Sequence, residues 1–475
     1  MPHIRPPMSA KDKDGRDLIL YKQPYTREPL RSATLLVRSK EPFNGEPPLP
    51  LLVKSYVTPT PAFFVRNHSA VPQIDLDSYV LEVRLGNALT PKKSLRLSLA
   101  ELRGHGRFHF PSHTMTCTLQ CAGNRRTEMN AVNKVKGLPW GAGAIGNATW
   151  TGVWLRDVLS ALMTDRIPSS GEMIDSQYLG LASTLIDDLH VEFEGWDGVK
   201  EHNFEAQGYA ASIPLSKCVS LEMLRWRFGS NACHNTSREH GNEVTAGVML
   251  AWAMNGEPLT ADHGAPLRVV VPGYIGARSV KWLRRVTLFE SVGVESSNFF
   301  QQRDYKLFPP SVSWDNITPS LWDAAVPIQE MNVNCVICAV NCVKSSLTTP
   351  NNTLIKRKDS EQTEVFDVDV VGYAISGGGR PIERVDISSD GGITWNIVEE
   401  VTSKGGFSWS LWRAKYVAVL NEGEIVARAW DAASNSQPES MSSCWNLRGV
   451  LGNAYSRYII SLNPKQALSI PHSSL

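Results

Sequence analysis

A series of short strand-like runs in the last third of the chain constrains the fold more than any other sequence feature. The runs are Val333 to Val343, Val365 to Ile375, Glu383 to Ser388, Ile393 to Val398, Ser408 to Val419 and Glu424 to Trp430. Turn signals such as Gly377-Gly378-Gly379 and Asp390-Gly391-Gly392 separate them. Six or seven short strands in about 130 residues are typical of a β-sandwich, and they predict an immunoglobulin-like one.

The preceding part of the chain has a mixed pattern. Leu81, Val83 and Leu85 alternate as in a strand, whereas the apolar positions from Val153 to Leu162 follow one face of a helix. Because strands and helices do not alternate regularly, we expect an α+β fold rather than a doubly wound parallel sheet. A chain of 475 residues has room for two or three domains. The predicted parts are an N-terminal arm at 1–34, an α+β domain at 35–322, the sandwich at 323–462 and a tail at 463–475, with a linker at 309–327.

Charge and apolar runs exclude several classes of partner. Lys plus Arg number 48 and Asp plus Glu 47, so no overall field favours nucleic acid or an acidic membrane surface. The uncharged run Val244–Met254 is shorter than the roughly 20 residues of a membrane span. Sparse cysteines and the lack of a secretory signal predict an intracellular, reducing compartment. Ser473-Ser474-Leu475 resembles a peroxisomal signal, with mitochondrial or cytoplasmic location as the alternatives.

Cys121 lies in the densest chemical motif, Thr-Leu-Gln-Cys-Ala-Gly-Asn-Arg-Arg at 118–126. The motif places a thiol between a short apolar strand and a turn that ends in Arg125 and Arg126. Nearby cations favour the thiolate, which is the form that binds a soft metal. The alternatives are a structural cysteine followed by solvated arginines, or a catalytic thiol whose base cannot be assigned.

Further basic residues flank apolar strands. They occur in Phe-Val-Arg-Asn-His at 64–68, and in His-Gly-Ala-Pro-Leu-Arg at 263–268, which leads into three valines. A buried arginine is costly unless it meets a carboxylate or a phosphate. A glycine-rich turn with Arg278 and Lys281 would suit a phosphate group. Each residue alone is compatible with a solvated strand end, but together they predict an anion site.

Six motifs, in order along the chain, resemble those of the sulfite oxidase family of molybdenum enzymes, which includes the molybdenum domain of eukaryotic nitrate reductase. They are FFVRNH at 63–68, TLQCAGNRR at 118–126, MNGEPLTADHGAPLRVVVPG at 254–273, GARSVKWL at 276–283, QRDYKLFPP at 302–310 and WNLRGVL at 445–451. The resemblance covers roughly residues 50 to 455. It implies a molybdopterin-binding domain at 35–322, followed by an immunoglobulin-like dimerisation domain at 323–462 and therefore a homodimer.

The resemblance also implies a role for each matching residue. Cys121 would be the thiolate ligand of molybdenum, beside a molybdopterin dithiolene and two oxo groups. The residues implied to hold the pterin and its phosphate are Phe64, Val65, Arg66, Asn67, His68, Asp197, His263, Arg268, Ser279, Val280 and Lys281. Those implied to line the substrate pocket are Arg66, Arg126, Trp140, Tyr305 and Arg448, of which Arg66, Arg126 and Tyr305 are also implied to be catalytic. Simple packing is the alternative for Trp140.

The activity implied is oxidation of sulfite to sulfate by oxygen-atom transfer. Guanidinium groups bind the oxygens of a small oxyanion in planar forks and leave its sulfur free. The segment QRDYKLFPP and Arg448 resemble the sulfite type more than the nitrate type, which is the nearest alternative. A catalytically inert dimeric relative is a further hypothesis, from a different class of protein.

The electron acceptor implied is oxygen. No His-Pro-Gly-Gly haem signature precedes the first motif, so no haem is expected in this chain. In this respect the chain resembles the haem-free plant type, which passes electrons to oxygen and forms peroxide. A separate cytochrome is the alternative acceptor.

Two further features are interpreted as structural. On a strand, Cys335 and Cys338 face opposite sides, so the series with Cys342 predicts structural cysteines and no zinc site. The segments Gly104 to His109 and about Ser220 to Thr245 interrupt better-patterned flanks, and we interpret both as surface insertions.

Overall fold

The computed structural model describes residues 8–11, 17–20, 25–86, 91–164, 188–198, 208–218, 247–344, 365–419 and 423–460. The strands up to the sandwich are β1 (Met8–Lys11), β2 (Asp17–Leu20), β3 (Leu36–Lys40), β4 (Phe43–Glu46), β5 (Val65–Arg66), β6 (Val80–Gly86), β7 (Pro91–Ser98), β8 (His113–Gln120), β9 (Ile145–Trp154), β10 (His190–Gly198), β11 (Gly208–Pro214), β12 (Met249–Met254), β13 (Glu257–Pro258), β14 (Arg268–Val270) and β15 (Leu283–Leu288). The sandwich strands are β16 (Asn334–Lys344), β17 (Val365–Ile375), β18 (Ile382–Ser388), β19 (Asn396–Ile397), β20 (Glu400–Thr402), β21 (Ser410–Val419), β22 (Gly423–Asp431) and β23 (Ser456–Ile460).

The helices of the described residues are short. They are α1 (Leu49–Leu52), α2 (Leu99–Leu102), α3 (Arg126–Val132), α4 (Leu155–Thr164), α5 (Leu215–Cys218), α6 (Pro319–Ala324) and α7 (Met441–Cys444). Single turns of 3₁₀ helix occur at Thr60–Ala62, Ala261–His263 and Gly276–Arg278, and a π-helix at Phe300–Asp304. None of the described helices has the length and hydropathy of a membrane span.

Two larger sheets and the small sheet β3-β4-β5 form the first domain. One has the strand order β11-β10-β15-β6-β7, in which β15 and β6 are parallel. The other has the order β13-β12-β9-β8, with β14 also paired to β12. A continuous apolar core that includes Leu81, Val83, Val153 and Val286 joins them. Mainly antiparallel sheets with few, unevenly placed helices confirm the predicted α+β class.

The strand predicted at 81–85 is confirmed as part of β6. The helical interpretation of Val153 is wrong, because this residue lies in β9 and pairs with Leu250 of β12. The helix α4 begins only at Leu155. A short apolar run is compatible with both the helical and the strand repeat. Only its pairing with another strand shows that it is a strand.

The C-terminal domain is a sandwich of two antiparallel sheets, β16-β17-β21-β20 and β19-β18-β22-β23, which confirms the prediction. Their facing side chains form a separate core that includes Val370, Val385, Trp412 and Ala427. Of the run predicted at 393–398, only β19 forms. The Asp390 carboxylate accepts hydrogen bonds from the backbone N–H groups of residues 393 and 394, at 3.0 and 2.8 Å, and thereby holds these residues in a turn.

The proline-rich segment at 309–327 is mostly exposed, but four of its side chains anchor it. Val312, Ile317, Trp322 and Ala325 pack against the cluster of Met129 of α3 and the pair Trp445 and Leu447, which follow α7. The cluster therefore joins the segment to both domains.

The cysteines of the described ranges are free thiols. Cys335 lies in the sandwich core and Cys338 in the core of the first domain, so they face opposite sides of β16 as predicted. No cluster of three metal-ligating side chains occurs in the part of the chain that the structure describes. The segment 104–109 is an exposed turn anchored by Phe108, whereas the predicted insertion at 220–245 and the C-terminal tail lie outside the described residues.

Candidate active site

A partly open cavity lies where the ends of β5, β8 and β10 meet the turns around residues 262 and 279. Its walls come from five of the six motifs. The predicted site residues that line it are Phe64, Arg66, His68, Cys121, Asp197, His263, Arg268, Ser279, Val280, Lys281 and Tyr305. The structure thus brings together residues that are far apart in the sequence.

Cys121 is the thiol in the wall of this cavity. It follows β8 directly, and its backbone N–H donates to the carbonyl oxygen of Ala144 at 2.9 Å. Its carbonyl oxygen in turn accepts from the backbone N–H of Asn124 at 3.0 Å, which closes the turn that leads into α3. The end of a paired strand therefore holds the thiol in one position, facing the cavity.

Arg125 and Arg126 are adjacent but have different environments. Arg125 is 1% exposed; its guanidinium donates to the Glu128 carboxylate, and also to Asn334 Oδ1 at 3.0 Å and the Ala454 carbonyl oxygen at 2.6 Å. It therefore connects α3 to the sandwich. Burial lowers the pKa of Arg126, and the nearby Cys121 thiol opposes this effect. Arg126 is thus the one that lies close to the thiol.

Three cations line the cavity, namely Arg66, Arg268 and Lys281. The Arg66 guanidinium donates to Asn44 Oδ1 at 3.2 Å. The Arg268 guanidinium donates to the carbonyl oxygens of residues 263 and 279, at 2.9 and 3.1 Å, and burial lowers its pKa to about 9. The Lys281 ammonium donates to the carbonyl oxygen of Asp262 at 2.8 Å, and burial lowers its pKa. Since these acceptors are uncharged, they do not neutralise the arginines, and an anion in the cavity would favour the charged form of Lys281, whose pKa burial lowers to about 7.

His68 and Tyr305 form a neutral pair at the cavity wall. His68 Nε2 and the Tyr305 hydroxyl are hydrogen-bonded at 3.0 Å, and the imidazole stacks on Tyr209 with the ring centres 4.7 Å apart. Burial lowers the pKa of His68 well below its ordinary value, and burial raises the pKa of Tyr305. Near neutral pH the imidazole is therefore uncharged and the phenol keeps its proton.

Comparison with known proteins places this arrangement in a family. The family described as "Oxidoreductase molybdopterin binding domain" matches residues 68–297, and "Mo-co oxidoreductase dimerisation domain" matches residues 325–463. A sulfite oxidase of Arabidopsis thaliana is 40% identical over 450 residues, which are 92% of this chain and 96% of that protein. This chain belongs to the sulfite oxidase family.

Other members of the family resemble the chain to similar or lower degrees. The mitochondrial sulfite oxidase of Homo sapiens is 40% identical over 93% of this chain and 68% of that protein. A nitrate reductase (NADH) of Phaseolus vulgaris is 33% identical over 90% of this chain and 42% of that protein. The crystal structure of the sulfane dehydrogenase SoxCD from Paracoccus pantotrophus has a TM-score of 0.59 at 21% identity, and covers 92% of this chain and 87% of that one. That likeness shows a shared fold.

The cavity fits the molybdenum cofactor of the sulfite oxidase family. Asp197 Oδ1 and His263 Nε2 are buried without a hydrogen-bond partner in the described part of the chain, and both residues line the cavity. Burial raises the pKa of Asp197 to about 7 and lowers that of His263 to about 3. Buried polar atoms without partners are costly, so they indicate a polar ligand. A pterin offers such groups, its phosphate suits the cations, and molybdenum suits the thiol.

Several predicted residues lie behind or beside the cavity wall instead of in it. Val65 packs against Leu35 and Phe43. Trp140 is fully buried, in the apolar cluster that also contains Cys121. The Asn67 side chain bonds to Asp262 and Lys281. Arg126 and Arg448 are also absent from the lining, and Arg448 donates to the Asp304 carboxylate.

Six lining residues were not predicted as site residues, namely Phe63, Leu119, Tyr209, Asp262, Gly276 and Ala277, and one interpretation is wrong. Tyr209 of β11 supports His68, but nothing in its neighbouring sequence indicates this role. Asp262 lies within a recognised motif and could have been assigned from it. The phosphate interpretation of Arg278 is wrong, because this residue is fully buried and donates to the carbonyl oxygen of Ile328 and to a side-chain amide oxygen.

Proposed function

We propose that this protein oxidises sulfite to sulfate at a molybdenum-molybdopterin centre bound by Cys121. The observation that carries the proposal is a buried thiol facing a cavity that also presents several cations and two polar atoms without partners among the described residues. The plant and animal relatives named sulfite oxidase support the choice of substrate.

The cofactor would be held from three sides. Cys121 would bind the metal, and the Arg268 and Lys281 cations would meet the phosphate. Asp197 and His263 would hydrogen-bond the pterin through their free polar atoms. When bound, the cofactor supplies an oxo group and accepts two electrons.

Sulfite would be bound by arginines. Arg66 lines the cavity. Arg126, whose pKa burial lowers, lies close enough to both Arg66 and Arg448 for their positive charges to lower its pKa further. Two or three guanidinium groups can bind the oxygens of sulfite and keep its sulfur free for the oxo group. Donors that are fixed in a buried site stabilise the changing charge without solvent reorganisation.

Tyr305 would donate a hydrogen bond to the substrate or to the oxo group. Because burial raises its pKa, it keeps its proton at neutral pH and can act as a donor. His68 orients the phenol through the 3.0 Å contact and remains uncharged. Trp140 would stiffen the wall behind Cys121.

We further propose oxygen as the electron acceptor, as in the haem-free plant type that the sequence resembles. One sulfite, one water and one oxygen molecule then yield one sulfate and one hydrogen peroxide. The sandwich, with its boundary near 322/323, would mediate a homodimer, and the match to a dimerisation domain supports this. A peroxisomal location stays a prediction.

The test is sulfite-dependent oxygen consumption by purified protein of known molybdenum content. Oxygen uptake with stoichiometric peroxide is the expected result. If molybdenum-loaded protein consumes no oxygen but reduces cytochrome c or ferricyanide, the acceptor is wrong and the substrate is right. Reduction of nitrate without oxidation of sulfite would favour the nitrate alternative, and inactivity with every substrate would favour an inert relative.

A further inference from the structure

The N-terminal segment at 25–34, which we call the strap, reaches the cofactor cavity through one side chain. Arg31 donates from Nε and Nη2 to the two carboxylate oxygens of Asp262, each at 2.8 Å. This is a bidentate ion pair with two short hydrogen bonds, and its two residues are 231 positions apart in the sequence. The side chains are only 13% and 8% exposed. Because the pair is shielded from water, removal of one partner would leave the other as an uncompensated buried charge.

Other contacts hold the strap in place. Glu28 accepts a hydrogen bond from the backbone N–H of Val71 at 2.8 Å and also pairs with Arg31. The Arg31 guanidinium lies 4.1 Å from the ring centre of Phe43. The carbonyl oxygen of Arg27 accepts from Gln73 at 3.2 Å. The strap therefore contacts the first domain at several points. Arg31 is the strap residue whose side chain bonds to a residue of the cavity wall, Asp262.

Asp262 connects Arg31 to the groups that face the cavity. Its carboxylate accepts from Asn67 Nδ2 at 3.2 Å, and its carbonyl oxygen accepts from Lys281 Nζ at 2.8 Å. The Lys281 ammonium also donates to the Asn67 side-chain oxygen. Asp262, Asn67 and Lys281 thus form a closed hydrogen-bond network. Arg31 donates to both oxygens of the Asp262 carboxylate, which is the one carboxylate in this network.

Removing Arg31 would leave this buried carboxylate without its main counter-ion. An uncompensated buried charge is strongly destabilising, and Lys281 is a cation whose charge also interacts with this carboxylate. Lys281 would then be drawn toward Asp262 and away from an anion in the cavity. Arg31 therefore keeps the charge of Lys281 available.

We propose that Arg31 is a positioning residue for the cofactor, and that the strap and the cofactor stabilise each other's binding. The inference rests on the proposed function, because the anion that Lys281 meets is the phosphate of the pterin cofactor. Coupling between two sites is reciprocal: if the docked strap strengthens cofactor binding, the bound cofactor protects the strap by the same factor.

The experiment uses the full-length holoprotein and the variants Arg31→Ala and Leu30→Ala. Leu30 precedes Arg31 in the same strap, and its side chain is fully exposed, so it serves as the control. One readout is the rate of loss of molybdenum and pterin during dialysis, and the other is amide hydrogen exchange of residues 25–34. Arg31→Ala should lose the cofactor at least about 10-fold faster, in the range found for residues that support a metal ligand, and its strap should exchange faster. Leu30→Ala should behave as wild type in both respects.

A second variant tests the charge argument. Asp262→Asn removes the carboxylate but keeps its shape, so Arg31→Ala combined with Asp262→Asn should lose cofactor more slowly than Arg31→Ala alone. If the strap of Arg31→Ala exchanges faster but the cofactor is retained as in wild type, the coupling does not exist. A double variant that loses cofactor as fast as, or faster than, Arg31→Ala would overturn the role of the Asp262 charge. Wild-type protein that never contains molybdopterin would instead refute the proposed function.

Discussion

Arg448 donates from Nη2 to the carboxylate of Asp304 at 2.6 Å, which joins the segment after α7 to the residue that precedes Tyr305. A second contact at 3.3 Å runs from Arg448 Nε to the Asp304 carbonyl oxygen. The arginine side chain is 10% exposed and the aspartate 28%. The ion pair therefore holds a guanidinium group of the C-terminal segment at the border of the cavity, where its charge also affects Arg126.

The first prediction concerns this guanidinium. Arg448→Met should raise the sulfite KM about 10- to 100-fold, because a hydrogen bond to a charged group contributes about 1.5–3 kcal/mol. Molybdenum content should stay close to that of wild type. Steady-state kinetics at known molybdenum content check this. Arg457→Met is the control, since Arg457 pairs with Glu424 elsewhere on the sandwich and is 34% exposed. An unchanged KM would remove Arg448 from the substrate pocket.

The second prediction concerns the thiol. Cys121→Ser should lower sulfite turnover at least about 100-fold, which exceeds the effect of losing a residue that only supports a metal ligand. The fold should persist, because the backbone hydrogen bond to Ala144 does not involve the side chain. Turnover and circular dichroism melting are measured together. Cys117→Ser alters a buried thiol of β8, the strand that precedes Cys121, and is expected to retain turnover. Retained activity of Cys121→Ser would refute metal ligation.

The third prediction separates the two adjacent arginines. Arg125→Met should lower the free energy of unfolding by about 2–4 kcal/mol, because it leaves buried acceptors on Asn334 and Ala454 without donors. Arg126→Met should have its larger effect on kcat/KM for sulfite. Chemical denaturation and kinetics of both variants check this. If Arg125→Met affected kinetics more than Arg126→Met, with equal stability, the assignment of the two roles would be reversed.

The fourth prediction concerns pH. Burial raises the pKa of Asp197 to about 7 in the folded protein, whereas an unfolded aspartate has a pKa of about 3.9. The folded state therefore binds this proton more tightly, and its stability falls as the pH rises from about 4 to about 7. In cofactor-free protein, Asp197→Asn should raise Tm relative to wild type by roughly 2–4 °C more at pH 8 than at pH 5.

Thermal melting at the two pH values measures this difference. The variant Asp315→Asn, which changes an exposed aspartate, should shift Tm equally at both. An equal shift of Asp197→Asn at pH 5 and pH 8 would contradict the raised pKa.

The strands of the sandwich could be predicted because each buries one face, and burial imposes an apolar alternation that the sequence displays. The run Val365–Ile375 is β17 without any change of bounds. Predictions from the apolar pattern were wrong where an interaction that the pattern does not show decided the local structure. Asp390 holds the start of the predicted run at 393–398 in a turn, and Val153 pairs with a strand that lies far away in the sequence.

The chain's residues alone were enough to identify the family, the thiol and the cations, because the chemistry of a metal and an anion demands particular side chains in particular motifs. Without the resemblance, they do not distinguish the arginine that lies close to the thiol from the arginine that joins the two domains. Arg125 and Arg126 are neighbours, yet the first is taken up by acceptors on the sandwich. Arg31 and Asp262 meet across 231 positions. A local pattern specifies a charge, but the partner that satisfies a buried charge is chosen when distant segments pack together.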